Sequence, residues 1–292
     1  MKKKMYLILI VSLLAVGISL FLLLTNSKND EIDDTSTQPH ANEETNEEAT
    51  KEETNENESI GQSVRDAVME AISFFKKDAH VVAIGDSLTQ GVGDEANNGG
   101  YIGIIEERLE EENFQVTFDN YGVRGNRTDH LLKRLRENEE ITESLQKADF
   151  VLITIGANDI MQIMKDNFMN LTEEPFTSGR GPYRDRLIEI FDEIIAVQPD
   201  AEIYLLGFFN PFDQYFREIE ALNQIVTRWN NESLQVTNQF EQVHYIPMQD
   251  IFQYEEENVF ADDNFHPNHS GYQLMAERVM EYLENNLQGE QN

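Results

Sequence analysis

His80-Val81-Val82-Ala83-Ile84-Gly85-Asp86-Ser87-Leu88-Thr89 joins a short apolar, β-branched run to a glycine and a polar turn. Such a run, ended by glycine, reads as a buried strand, and Asp86-Ser87 is suited to open a helix directly after it. A serine placed there has its hydroxyl exposed at a tight turn and its amide near a helix N-terminus, where negative charge is favoured. Taken alone, the segment fits a helix cap as well as it fits a nucleophile.

Similar short runs recur at Phe114–Asn120, Phe150–Ile155, Glu202–Phe208 and Val243–Ile246, so that with His80–Ile84 there are five expected strands. Segments with helical spacing lie before, between and after them: Val64–Phe75, Tyr101–Glu112, Thr128–Glu137, Tyr183–Val197, Gln214–Trp229 and Gly271–Leu287. In Gln214–Trp229, the residues Phe216, Ile219, Leu222, Val226 and Trp229 fall on one helical face. Alternation of strand and helix predicts an α/β protein, a three-layer α/β/α sandwich around a parallel sheet of about five strands.

The flanks differ from this domain. Lys2, Lys3 and Lys4 precede an uncharged apolar run, 5–24, which as a helix would be about 30 Å long and match one bilayer crossing. The run lacks a small-x-small cleavage site, so it reads as an uncleaved anchor with residues 1–4 in the cytoplasm and the rest outside, or as a secretory signal if it is cut. Residues 25–60 form an acidic linker, with twelve acidic residues and two lysines from Ser27 to Ser59, too polar to bury a core. Residues 61–292 are left as the folded domain.

The 292 residues include 55 Asp plus Glu, 22 Lys plus Arg and no Cys, for a formal charge of −33. Such charge opposes nucleic-acid binding, and the lack of thiols removes disulfides, cysteine-ligated metals and a cysteine nucleophile. There is no Walker A sequence and no complete dinucleotide glycine loop, so no cofactor is expected.

Reactive groups of an open parallel sheet gather where strands end. After the second strand, Asn120-Tyr121-Gly122-Val123-Arg124-Gly125 offers the Gly122 amide as an oxyanion donor or an ordinary glycine turn. After the third, Gly156-Ala157-Asn158-Asp159 offers the Asn158 side-chain amide or a helix cap. Before the last helix, Asp263-Asn264-Phe265-His266-Pro267 sets a carboxylate three residues ahead of a histidine, which fits an oriented general base or a surface turn. Asp262, Asp263, His266 and His269 are a weaker metal-ligand alternative. Tyr101 and Arg124 lie near these segments and are candidate substrate contacts. Met161, Ile163, Met164, Phe168 and Met169, together with Phe208, Phe209, Phe212, Tyr215 and Phe216, could line an acyl groove or pack the core.

In order, these four segments resemble the blocks of the SGNH hydrolases, the GDSL-type lipases and esterases, from Gly85 to Pro267. Gly85-Asp86-Ser87-Leu88-Thr89-Gln90-Gly91 looks most like the lysophospholipase branch of Gram-positive bacteria. The resemblance implies Ser87 as nucleophile, His266 as base and Asp263 as its orienting carboxylate. It likewise implies an oxyanion hole from the Ser87 amide, Gly122 and Asn158, and catalysis without metal or cofactor. The expected activity is hydrolysis of a small-molecule or lipid acyl ester. The alternatives are removal of O-acetyl groups from cell-wall glycan and a catalytically silent surface-binding module.

Overall fold

The β-branched runs form five parallel strands: β1 (His80–Gly85), β2 (Thr117–Gly122), β3 (Phe150–Thr154), β4 (Glu202–Leu206) and β5 (Val243–Ile246). This is a computed structural model, and it describes residues 79–96, 98–170, 172–211, 220–253 and 258–289. The chain divides into two units, 1–66 and 67–292, and every described residue belongs to the second. The expected anchor 5–24, linker 25–60 and helix Val64–Phe75 lie outside the described residues, as do Phe212, Tyr215, Phe216 and Ile219. Among the described residues, no helix is long and apolar enough to cross a membrane.

The strand order is β2-β1-β3-β4-β5, so the chain steps one way from β1 to β2 and then crosses back to β3. The C-terminal ends of β1 and β3, which face each other across this reversal, are where an open α/β sheet forms its crevice. Residues of one parity, among them Val81, Ala83, Leu152, Tyr204 and Leu206, share a buried cluster with Ile105 and Leu109 of α2 (Gly100–Glu111) and with Met275 and Val279 of α9 (His269–Gly289). Residues of the other parity, including Val82, Ile84, Val151, Ile153 and Leu205, are equally buried, as a sheet covered on both faces requires. The second layer contains α3 (Thr128–Glu137), α6 (Glu173–Val197) and α7 (Glu220–Thr237), of which α6 packs against both others.

Two boundaries differ from expectation for identifiable reasons. Helix α2 ends with Asn113 in the left-handed region at φ 62°, and the Phe114 amide donates back to Leu109 O, so β2 starts at Thr117 rather than at Phe114. Helix α6 starts ten residues before the expected Tyr183, running through Gly179, Gly181 and Pro182. A Cβ on Gly179 would lie 2.4 Å from Ile163 Cδ1, so this glycine is a packing notch inside the helix. Three shorter helices, α4 (Glu139–Leu145), α5 (Ala157–Asp166) and α8 (Gln249–Gln253), have no counterpart among the expected elements.

Candidate active site

The serine turn is built by contacts to the end of β3. The Asp86 amide donates to Thr154 O (3.0 Å), and Asp86 Oδ1 accepts from Leu88 N (3.0 Å) and Thr154 Oγ1 (2.9 Å). Thr89 adds a hydroxyl contact to Thr154 Oγ1 at 2.7 Å. The strands come so close here that a Cβ on Gly85 would sit 2.2 Å from Thr154 O, and Gly85 adopts φ +149°. Ser87 is thereby the first residue of α1 (Ser87–Gln90), with Asp86 as its cap. Burial pushes the Asp86 carboxyl up to about 6, even though the Leu88 amide, the Thr154 hydroxyl and the charge of His266 pull it down.

From the opposite end of the chain, the loop before α9 brings His266 onto Ser87. His266 Nε2 lies 2.9 Å from Ser87 Oγ, and His266 Nδ1 lies 2.6 Å from Asp263 Oδ2. Asp263 Oδ1 accepts the amides of Phe265 (3.0 Å) and His266 (2.9 Å), with Asn264 at φ 53° closing the turn. Burial raises the Asp263 carboxyl, but the His266 hydrogen bond and charge and these two amides outweigh it and hold the group below its ordinary range. An ionised Asp263 accepts the Nδ1 proton, which leaves the Nε2 lone pair facing the serine hydroxyl. His266 is 2% exposed, and it packs on Gly93, whose Cβ would lie 2.9 Å from His266 Cβ.

Asn158, on the first turn of α5, donates from Nδ2 to Asn126 O (3.0 Å) and keeps its second Nδ2 hydrogen for another acceptor. Beside it, Asp159 accepts Thr128 N (3.0 Å), Thr128 Oγ1 (2.6 Å) and Arg186 Nη2 (3.0 Å). This buried cluster fixes the start of α5 against the start of α3.

Residues 83–274 match the GDSL-like Lipase/Acylhydrolase family. The chain belongs to that family. As a GDSL-like acylhydrolase, it is an ester hydrolase. It is 35% identical over 214 residues to the uncharacterized protein YpmR of Bacillus subtilis (strain 168), covering 71% of this chain and 83% of YpmR. To the spore germination lipase LipC of Bacillus licheniformis it is 26% identical over 202 residues, 68% of this chain and 92% of LipC. Among solved structures, the lipase Lip_vut3 from a goat rumen metagenome superposes with a TM-score of 0.61 at 24% identity, covering 69% of this chain and 95% of that one. A variant of Axe2, an acetyl-xylooligosaccharide esterase from Geobacillus stearothermophilus, gives a TM-score of 0.55 at 19% identity, covering 70% and 94%. These two superpositions establish the shared fold.

Within this GDSL fold, Ser87, His266 and Asp263 are brought together, and Asn158 reaches the loop after β2 through the Asn126 carbonyl. Gly122 needs correcting: its amide donates to Asn120 Oδ1 (2.9 Å), and a Cβ there would lie 2.2 Å from Gln90 N. It is a glycine because β2 packs against the backbone of α1. Gly125, three residues on, is the residue that sequence reasoning misses; it is exposed, at φ +78°, in the turn between Val123, tied to Gly85 O, and Asn126, held by Asn158. Among the described residues, neither the Gly125 nor the Ser87 amide has a hydrogen-bond acceptor. The available signal is the second glycine of Gly122-Val123-Arg124-Gly125, directly before Asn126.

Two expected substrate contacts are core residues instead. Tyr101 is 0% exposed inside the α2–α9 cluster. Phe208 is buried against Tyr183 and beneath Gly156, and Phe209 stacks on Phe252. Arg124 is exposed, with its amide donated to Gln90 Oε1 (2.8 Å). The four residues of the metal alternative do not converge, since His269 pairs with Asp94 (3.0 Å) while His266 faces Ser87. Among the described residues, no group of three or more His, Asp or Glu is arranged to hold a metal ion.

Proposed function

We propose that this ester hydrolase works through a Ser87–His266–Asp263 triad and an acyl-enzyme intermediate. The observation that carries the reading is the unbroken relay from Asp263 Oδ2 through His266 to Ser87 Oγ, at 2.6 and 2.9 Å. Ser87 Oγ attacks the ester carbonyl carbon as His266 Nε2 takes its proton, and the carbonyl oxygen becomes an oxyanion. The Ser87 amide, the Gly125 amide and the second Asn158 Nδ2 hydrogen serve as its donors, the α1 N-terminus adding to the local positive potential. His266 then returns the proton to the departing alcohol oxygen. A water, deprotonated by His266, releases the carboxylic acid and restores Ser87.

The substrate proposed is an ester with a short acyl group. Supporting this, three of the side chains considered for an acyl groove are packed in the core: Phe208, Phe209 and Met164 are no more than 8% exposed. With residues 5–24 read as an anchor, the domain would act outside the cytoplasm on an acyl ester of the envelope. Full-length protein assayed on p-nitrophenyl acetate, butyrate and palmitate should favour acetate and be labelled by a fluorophosphonate. Both activities should be lost in Ser87→Ala. Labelling that persists in Ser87→Ala, or turnover that does, overturns the assignment.

A further inference from the structure

A shallow groove of about 750 Å³ runs from Asn126 along the outer side of α3 to the start of α4. Asn126 joins it to the first turn of α5, because its carbonyl accepts Asn158 Nδ2 (3.0 Å) while its side-chain oxygen accepts Arg134 Nη1 (3.2 Å). Arg134 also donates to Tyr121 O (2.8 Å), and the Tyr121 hydroxyl donates to Glu140 O (3.2 Å). The groove wall is therefore built on the same loop that carries Gly125, and the volume is within the usual range for a ligand site, roughly 300 to 1,000 Å³.

Its chemistry selects a ligand class. Every side chain lining it carries a polar or charged group, so an acyl chain would strip water from these groups and meet only the methylene stems of residues such as Lys133, Arg134 and Glu137. Lys133 and Arg134 stand beside Glu137, Glu139 and Glu140, so a ligand of either charge meets its own sign. A neutral ligand with many hydroxyls, each both donor and acceptor, can use both kinds of partner. Lys133 and Glu137 are 69% and 64% exposed and only 3.7 Å apart, so both can turn toward such hydroxyls.

We propose that this groove is the subsite for the alcohol half of the ester, and that the alcohol is a neutral oligosaccharide. The inference rests on the hydrolytic reading above: the sugar oxygen leaves with the proton from His266, and the acyl group stays on Ser87 until water removes it.

The test uses the full chain and a Lys133→Ala/Glu137→Ala variant, both changes at well-exposed positions. Values of kcat/KM are measured for O-acetylated xylotetraose, O-acetylated chitotetraose, lysophosphatidylcholine and p-nitrophenyl acetate. For at least one oligosaccharide, the ratio to p-nitrophenyl acetate should fall by about ten-fold or more in the variant, mainly through KM. Unchanged ratios for both sugars, or a fall confined to lysophosphatidylcholine, overturn the proposal. Calorimetric titration of the unacetylated sugars into the Ser87→Ala chain tests the groove without turnover. Saturable binding that the added Lys133→Ala/Glu137→Ala change weakens supports it, and no binding of either sugar overturns it. Loss of all turnover and labelling in folded unmodified protein would instead overturn the hydrolytic reading.

Discussion

Asp263→Asn separates the two tasks of this carboxylate. In the native loop, one oxygen holds the Phe265 and His266 amides and the other accepts the His266 Nδ1 proton. The substituted side chain can keep its one oxygen on both backbone amides, but its NH₂ group then donates towards His266 Nδ1, driving the imidazole proton to Nε2 and removing the base that faces Ser87. The expected loss in kcat/KM is about 10³- to 10⁴-fold. Stability should fall by only about 1 kcal/mol, because the two loop bonds survive without their charge. Asp263→Ala reverses the balance. It deletes both amide bonds to an ionised group, for about 2 to 3 kcal/mol after allowing for a side chain 25% exposed. It also leaves the tautomer undetermined, so it should be the more active of the two. The assay is p-nitrophenyl acetate hydrolysis beside urea unfolding at pH 7, and the signature is opposite orders of activity and stability. Asp263→Asn within about ten-fold of the unsubstituted enzyme would refute the orienting role.

Asn158→Ala should lower kcat by about 10² to 10³ with little change in KM, checked by steady-state kinetics, since it removes one oxyanion donor. The two glycines should part ways in a comparison of urea midpoints and kcat. Gly122→Ala drives a Cβ to 2.2 Å from Gln90 N and should cost about 2 kcal/mol or more, whereas Gly125→Ala meets open space and should mainly lower kcat by disturbing the φ +78° turn. For Asp86, whose folded pKa is raised by burial from 3.8 to about 6, the folded state binds the proton more tightly than the unfolded one. Its contribution should therefore decline as pH rises from about 4 to about 6, by up to about 3 kcal/mol, and stay level above that. The difference between the unsubstituted protein and Asp86→Asn in urea unfolding at pH 4.5 and 7.5 isolates this group, and no pH-dependent difference would contradict it. Asp263 has the opposite sign: its depressed pKa stabilises the fold above about 3.8 and that contribution disappears in more acid solution.

The architecture was legible in the sequence because the central strands β1, β3 and β4, buried on both faces, read as short apolar runs. The stripe of α7, with Val226 and Trp229 buried as its period requires, is equally local information. Misreadings came where local chemistry and tertiary contact disagree. Gly179, Gly181 and Pro182 look like a loop, yet they lie inside α6, where Ile163 and Trp229 need the missing Cβ of Gly179. Phe208 follows a strand that ends near the site, but only the packing of Tyr183 against it shows that the ring belongs to the core.

By itself, then, the sequence determined the alternation of strands and helices, the order of the four site segments and the turn chemistry that opens α1. Those properties depend on neighbours a few residues away. Tertiary structure alone decided that His266, 179 residues from Ser87, lies 2.9 Å from its hydroxyl. It also decided that the Gly122 amide is bonded to Asn120 Oδ1, while the Gly125 amide has no acceptor among the described residues. In sequence, the place of Gly125 directly before Asn126 is the one signal that sets it apart from Gly122. They differ in what packs against them: for Gly122 the backbone of α1 and the Asn120 side chain, for Gly125 nothing within 4 Å of a would-be Cβ.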